Sequence, residues 1–260
     1  MSTILFPSPI YGPVHSRRLG ISLGVNLMPA DGKLCTFDCI YCECGYNADH
    51  RTHTPFPTTQ EVADALEAKL REMSDNGTRP DVITFAGNGE PTMNRHFPEI
   101  IDETIRLRNA YCPEAKISVL SNSTFIHRPD VHAALMKVDN NILKLDTANG
   151  DYIKRLDRPT QPSYNVRSII ENMKSFGGRC IVQTMFLHGE TDEGEDVTNV
   201  GEEYVQPWLE AVKEIAPREV MIYTIDRETP GQHLRKATHE ELDGIRDRVK
   251  AMGIPCTASY

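Results

Sequence analysis

Short β-prone runs alternate with amphipathic helical stretches along most of this 260-residue chain, and no other feature restricts the fold as much. Runs at Gly20–Leu27, Asp81–Ala86, Lys116–Leu120, Asn141–Leu145, Cys180–Leu187 and Glu219–Ile225 read as strands. Thr58 opens the first helix with Glu61 three residues on, a capping box, and Val62, Leu66 and Leu70 recur at helical spacing through Met73. Further helices are expected over Phe97–Arg108, Val131–Met136, Asn165–Phe176 and Tyr204–Ile215. A last one, capped by Thr238 and Glu241, ends near Gly253. About six strands alternating with helices imply an α/β protein with a parallel sheet. The pattern alone admits a doubly wound open sheet or a partial barrel. In both, ligands belong at the C-terminal ends of the strands.

The composition, 39% hydrophobic and 25% charged, suits one α/β domain spanning residues 1–260. No apolar run approaches the ~18 residues of a membrane span, and Met1–Pro13 lacks a basic-then-apolar signal pattern, so a cytoplasmic protein is expected. The net charge of −9 does not recruit phosphates by itself. A nucleic-acid substrate would need a local basic patch; Arg17-Arg18, His50-Arg51 and Lys154-Arg155 with Arg158 are the candidates, or else solvated surface. Glu190–Asp196 carries five acids in seven residues, with Glu202-Glu203 beyond. This acidic loop, 188–203, reads as a solvated surface loop or as a lid or docking loop.

Three cysteines stand in one short run, Cys35-Thr-Phe-Asp-Cys39-Ile-Tyr-Cys42, within a loop over 35–44. Three thiolates can hold three irons of a [4Fe–4S] cube and leave the fourth iron open to a ligand. Structural zinc wants four ligands, usually as paired knuckles. Cys42 and Cys44 are too close for a knuckle, and no second pair exists. Cys44, Cys112, Cys180 and Cys256 have no motif spacing and read as core fillers, Cys44 being the nearest to the triplet.

The strand ends carry further polar groups. Ala86-Gly87-Asn88-Gly89-Glu90-Pro91-Thr92 follows the second predicted strand; glycines there let backbone approach a ligand closely. Ser121-Asn122-Ser123 follows the third, as ligand contacts or as an Asx turn or cap. Lys144 and Asp146 share one face of the fourth, as a salt bridge or as substrate contacts. Gln183 alternates with Met185 on the fifth. Arg227 ends the sixth, where it could bind an anion bidentately or pair with Asp226 or Asp146.

The cysteine triplet and the Gly-Asn-Gly-Glu-Pro run resemble the radical S-adenosylmethionine (SAM) superfamily. The resemblance implies an incomplete (β/α)6 TIM-like barrel, a [4Fe–4S] cluster on Cys35, Cys39 and Cys42, and SAM on its open iron. It implies reductive cleavage of SAM to a 5'-deoxyadenosyl radical, with the cofactor carrying the chemistry and the protein orienting it. Tyr41 would lie near the adenine, Gly87, Asn88, Gly89 and Glu90 near the SAM amino group, and Ser121 and Asn122 near its carboxylate or ribose. Gly12–Gly20, the 87–92 run, Gln183-Thr184-Met185 and Ile222–Arg227 are similar to the wyosine-synthase-like iron–sulfur oxidoreductases, which implies action on a tRNA base. Those enzymes use a lysine to hold pyruvate, and Lys144 is the strand-end lysine here. The other readings are a peptide, protein or small-metabolite substrate, such as a glycyl-radical activase has, or a non-enzymatic iron–sulfur carrier. Lys144, Asp146, Gln183 and Arg227 are the substrate-side candidates. A flavodoxin or ferredoxin reductant and RNA are the expected partners.

Overall fold

The computed structural model describes residues 4–16, 20–49 and 52–260. Arg17-Arg18 and His50-Arg51, two of the basic clusters, lie outside the described residues. The strands are β1 (Ile10–Ser16), β2 (Gly20–Val25), β3 (Val82–Phe85), β4 (Lys116–Ser121), β5 (Asn140–Lys144), β6 (Cys180–Met185), β7 (Leu187–Gly189), β8 (Glu219–Tyr223), β9 (Leu234–Lys236) and β10 (Cys256–Ser259). The helices are α1 (Thr59–Asp75), α2 (Phe97–Tyr111), α3 (Pro129–Leu135), α4 (Gly150–Leu156), α5 (Val166–Lys174), α6 (Glu202–Ile215) and α7 (His239–Ala251).

The main sheet runs β1-β2-β3-β4-β5-β6-β8-β10. Every pairing is parallel except the β1–β2 hairpin. A doubly wound sheet reverses its strand order at a switch point. This order never reverses, so the alternative is excluded and the sheet is the partial barrel. All six strands read from the sequence are present. The sheet adds β10 as a seventh parallel member and β1 as an antiparallel edge, and β7 pairs with β9 in a separate ribbon.

Strand alternation sorts the side chains by face. Leu23, Val25, Ile83, Phe85, Val119, Leu143, Val182 and Val220 point outward into one core with Leu66, Ile100, Ile170, Trp208 and Val212 of the helices. Cys112, Cys180 and Cys256 are buried in that same core, as expected of core fillers. The inward positions, among them Ser22, Thr84, Leu120, Ile142, Gln183 and Met221, line an internal cavity of about 320 Å3.

Both capping boxes form, Thr58 with Glu61 and Thr238 with Glu241. Trp208 is fully buried on α6 and its indole donates to the Leu145 carbonyl (3.1 Å) and the Thr184 hydroxyl (3.0 Å), fixing the helix to β6. The acidic stretch 188–203 is not one loop. It begins in β7, closes a turn through a Glu190–Asp196 bridge, and ends in α6, where Glu202 and Glu203 fill the first turn. Acids there complement the helix dipole. Among the described residues no helix is long and apolar enough to cross a membrane.

Two substitutions test this framework by urea denaturation. Thr58→Ala removes one cap and should cost about 1 kcal/mol. Trp208→Ala should cost about 3–5 kcal/mol through the cavity it leaves. A Trp208→Ala midpoint equal to wild type would mean that α6 is not anchored there.

Candidate active site

The β2–α1 connection carries the cysteines across the C-terminal rim. It is braced from inside and from one edge. The Asn47 amide accepts from Cys35 N (3.0 Å) and donates to the carbonyls of Cys35 (3.2 Å) and Phe37 (3.1 Å). Asp38 N reaches the Asp157 carbonyl (2.9 Å), Ile40 N the Leu156 carbonyl (3.0 Å) and Thr160 N the Thr36 carbonyl (2.9 Å), so the loop lies along the chain leaving α4.

Under the loop sits Lys33, only 2% exposed. Its ammonium donates to the Gly45 carbonyl (2.7 Å) and pairs with Asp38 at 3.4 Å. Burial disfavours that charge, but the sulfurs of Cys42, Cys39 and Cys35, with Asp38, raise the lysine above its ordinary value. Burial pushes the Cys35 thiol up to about 12 and raises Cys39 further. Cys42 moves the other way, to about 6, chiefly through a hydrogen bond from Cys44 and then through Lys33. Cys35 Sγ accepts from Phe37 N (3.5 Å) and from the Asn122 amide (3.5 Å).

This donor set fits an iron–sulfur cube. All three cysteines are free thiols on one braced loop, close enough to feel one another's charge, with a buried cation and N–H donors around them. Among the described residues no three His, Cys, Asp or Glu side chains converge tightly enough for a single metal ion. A zinc ion draws four ligands into one tetrahedron, whereas the ligands of a cube stand at separate corners. Cys44 is hydrogen-bonded with Cys42, and its sulfur lies 3.4 Å from the Gly87 carbonyl.

The glycine-rich loop after β3 presses on the cysteine loop. Leu34 N donates to the Asn88 carbonyl (2.8 Å), and a Cβ at residue 89 would fall 1.8 Å from the Leu34 carbonyl oxygen. At residue 87 a Cβ would meet Asn26 at 2.6 Å. Both glycines, at φ +149° and +147°, permit protein to cross protein here. The Asn88 side chain is fully buried and holds the N-terminal segment, accepting from Phe6 N (2.8 Å) and donating to the carbonyls of Phe6 (2.9 Å) and Pro29 (3.0 Å).

Glu90 is buried and saturated. It accepts from the Ser121 hydroxyl (2.8 Å), Asn122 N (2.6 Å), Thr92 N (3.2 Å) and the Thr92 hydroxyl. Burial raises its pKa despite these donors. It thus joins the β3 loop to the end of β4, where the Asn122 amide also donates to Thr36 Oγ1 (2.7 Å).

Lys144 and Asp146 do share a face and do pair. The Lys144 ammonium meets Asp146, pairs with Asp157 at 2.7 Å and lies 4.5 Å from the Tyr41 ring centre. The Tyr41 hydroxyl donates to Asp146, whose other oxygen accepts from Met185 N (2.9 Å). Burial opposes the charge on Lys144, yet Asp146, Asp157 and Cys39 hold it well above the ordinary lysine value. Arg227 takes neither partner read from the sequence. It pairs with Glu43 of the cysteine loop at 2.6 Å, because the chain leaving β8 arrives over that loop. Glu43, Asp226 and Arg227 line both the lumen and a smaller cavity of about 80 Å3 bounded by Tyr41, Met185 and Tyr223. Lys154 and Arg158 are matched by Asp151 (2.8 Å) and Glu193 (3.5 Å).

Three contributors escaped the sequence reading. Lys33 had a signal, a lysine two residues before a metal-type cysteine. Asn47 and Asp157 had none, since only the fold brings them to the loop.

A partial barrel with a three-thiol loop at its rim defines a class of iron–sulfur radical enzymes. Residues 31–200 match the radical SAM superfamily, and the chain is 30% identical over 239 residues to a UPF0026 protein of Synechocystis, covering 87% of this chain and 78% of that protein. The chain belongs to the radical SAM superfamily and to the UPF0026 family. Membership makes it an enzyme and implies a [4Fe–4S] cluster and SAM as cofactors. A UPF0026 protein of Helicobacter pylori J99 is 30% identical over 225 residues, with 84% and 66% covered. A Brachyspira hyodysenteriae protein named GTPase Obg is 27% identical over 245 residues, but this chain, 93% covered, spans only 33% of it.

Solved structures share the fold. A radical SAM methyltransferase from Sphaerobacter thermophilus superposes with a TM-score of 0.65 at 17% identity, over 92% of this chain and 66% of that one. TYW1 with a lysine-pyruvate adduct gives 0.60 at 13%, over 88% and 73%. Streptococcus suis SuiB bound to S-adenosylmethionine gives 0.62 at 16%, over 90% and 50%.

Iron analysis after anaerobic reconstitution tests the loop. Cys39→Ala and Lys33→Met should each lose most of the iron, the second because the Gly45 carbonyl, Asp38 and the thiolates lose their cation. Cys44→Ala and Cys112→Ala should retain it. Full iron in Cys39→Ala would remove that residue from the ligand set.

Proposed function

We propose that this enzyme modifies a nucleobase of RNA taken into the barrel lumen. The carrying observation is the cavity of about 320 Å3, which opens beside Glu43 of the cysteine loop. Its walls mix apolar Leu120, Ile142 and Met221 with polar Ser22, Thr84 and Gln183, which suits one compact guest rather than an extended chain. A base must leave its stack for an enzyme to reach it, and such a pocket receives it. The wyosine-synthase-like segments and the fold likeness to TYW1 support the reading.

In this reading Cys35, Cys39 and Cys42 hold the cluster, and Lys33 offsets its negative charge. When bound, the cluster and SAM supply a one-electron cleavage that leads to hydrogen abstraction from the substrate. Gly87 and Gly89 keep the cofactor side of the rim in close backbone register. Asn88 and Glu90 act through the loops they hold, Glu90 by fixing Ser121 and Asn122. Tyr41 closes the smaller cavity and is oriented by Asp146. Lys144 is kept as a cation by two carboxylates, so a lysine adduct like that in TYW1 is not proposed at this residue. A flavodoxin or ferredoxin would supply electrons.

A small free metabolite is the second reading. It is favoured by the pairing of Lys154 and Arg158 with acids, which offsets two of the three cations of one predicted basic cluster. Two measurements decide. Reconstituted protein with dithionite should release 5'-deoxyadenosine from SAM. Binding of bulk tRNA should weaken steeply with salt, and nucleosides from treated tRNA should show a new mass. Turnover of SAM without any tRNA binding at low salt would transfer the proposal to the metabolite.

A further inference from the structure

Gln183 is the one lumen feature that the framework leaves unexplained. It lies on β6, in register with Lys144 of β5 and Met221 of β8, and is 8% exposed. Its backbone carbonyl accepts from Leu145 N (2.9 Å), but among the described residues its side-chain amide has no hydrogen-bond partner. That amide faces the cavity. An amide that meets only the cavity makes no bond that holds the fold, and leaves its donor and acceptor to whatever fills the hollow. Leucine or methionine would fill this position with neither, as Leu120, Ile142 and Met221 do on neighbouring strands.

On β2 and β3 the lumen presents a second polar point. Ser22 Oγ and Thr84 Oγ1 lie 2.9 Å apart, and one proton satisfies that contact. The pair therefore keeps a free donor and further lone pairs. Between these polar points the walls are apolar.

We propose that Gln183 is the specificity-determining residue of the lumen, and that the substrate offers it a planar edge with adjacent hydrogen-bond donor and acceptor. A primary amide presents C=O and N–H₂ side by side in one plane, so it matches such an edge with two parallel hydrogen bonds. The lactam edge of a purine or pyrimidine base has this form. A carboxylate, an amine or an aliphatic chain does not. The proposal rests on the reading of the lumen as the substrate site and narrows its chemistry.

The test uses protein loaded with cluster and SAM, and two free nucleosides as probes. Inosine carries a lactam edge; purine riboside has the same shape without it. Ligand-observed NMR titration should show wild type binding inosine more tightly by on the order of tenfold. Gln183→Leu should abolish the difference and leave purine riboside unchanged. Gln183→Glu, which cannot donate as a carboxylate, provides the same readout if the leucine variant fails to fold. Equal binding of both nucleosides by wild type, binding of neither, or a preference that survives both substitutions would overturn the proposal. Free nucleosides lack the phosphates that tRNA binding needs. Lost tRNA binding with the inosine preference intact therefore sinks the RNA reading alone.

Discussion

The site depends on one crossing of two backbones, Leu34 over Gly89. Only a residue without Cβ leaves room for the Leu34 carbonyl, which would otherwise be 1.8 Å from that carbon. The crossing sets the cysteine loop against the ends of β3 and β4. It thereby puts Cys35 under the Asn122 amide and Thr36 beside Asn122 and Thr124. Glu90, one residue beyond the crossing, then locks the two strand ends together. A ligand triplet on a long loop would otherwise sample many arrangements, and each bond spent on the loop removes some of them. In metal sites such outer contacts orient the ligands and tune the metal.

Charge is arranged by the same logic. Two lysines stand on either side of the cysteines, Lys33 buried and Lys144 largely covered. Lys33 answers to the sulfurs and Asp38; Lys144 answers to Asp146, Asp157 and Cys39. A buried charge with no partner would be expelled or neutralised. Both remain because the site around them is anionic. Lys144 also fixes the roles of its neighbours. With its ammonium committed to two carboxylates and stacked on Tyr41, it stiffens the rim between β5 and the loop.

The legible parts of the chain were those whose signal is local. Six strands, both capping boxes and the outward core follow from periodicity and caps, which need no partner to be read. β10 was missed because Cys256-Thr-Ala-Ser has no apolar run; its pairing with β8 makes it a strand. α4 is seven residues long and is held by the Asn149 cap. At the site, the triplet and the Lys144–Asp146 face were readable from spacing. Asn47, Asp157 and the Glu43–Arg227 pair were not, since each joins segments far apart in sequence. The glycines at 87 and 89 read as an approach for ligand; in the fold Gly87 also makes room for the Asn26 side chain and Gly89 for the Leu34 backbone.

The lumen follows from the same alternation that builds the sheet. In closed eight-stranded barrels, bulky branched side chains from successive strands fill the interior in layers. Here the outward positions have that character, with Val, Ile, Leu and Phe packed under the helices. The inward positions do not, because Ser22 and Thr84 are too small to meet in the middle and Gln183 is too polar to be packed there without a partner. Among the described residues β1 and β10, the two ends of the sheet, do not pair. The chain instead keeps a hollow with the Gln183 amide on its wall, on the strand next to Lys144 and below the loop that holds the cysteines.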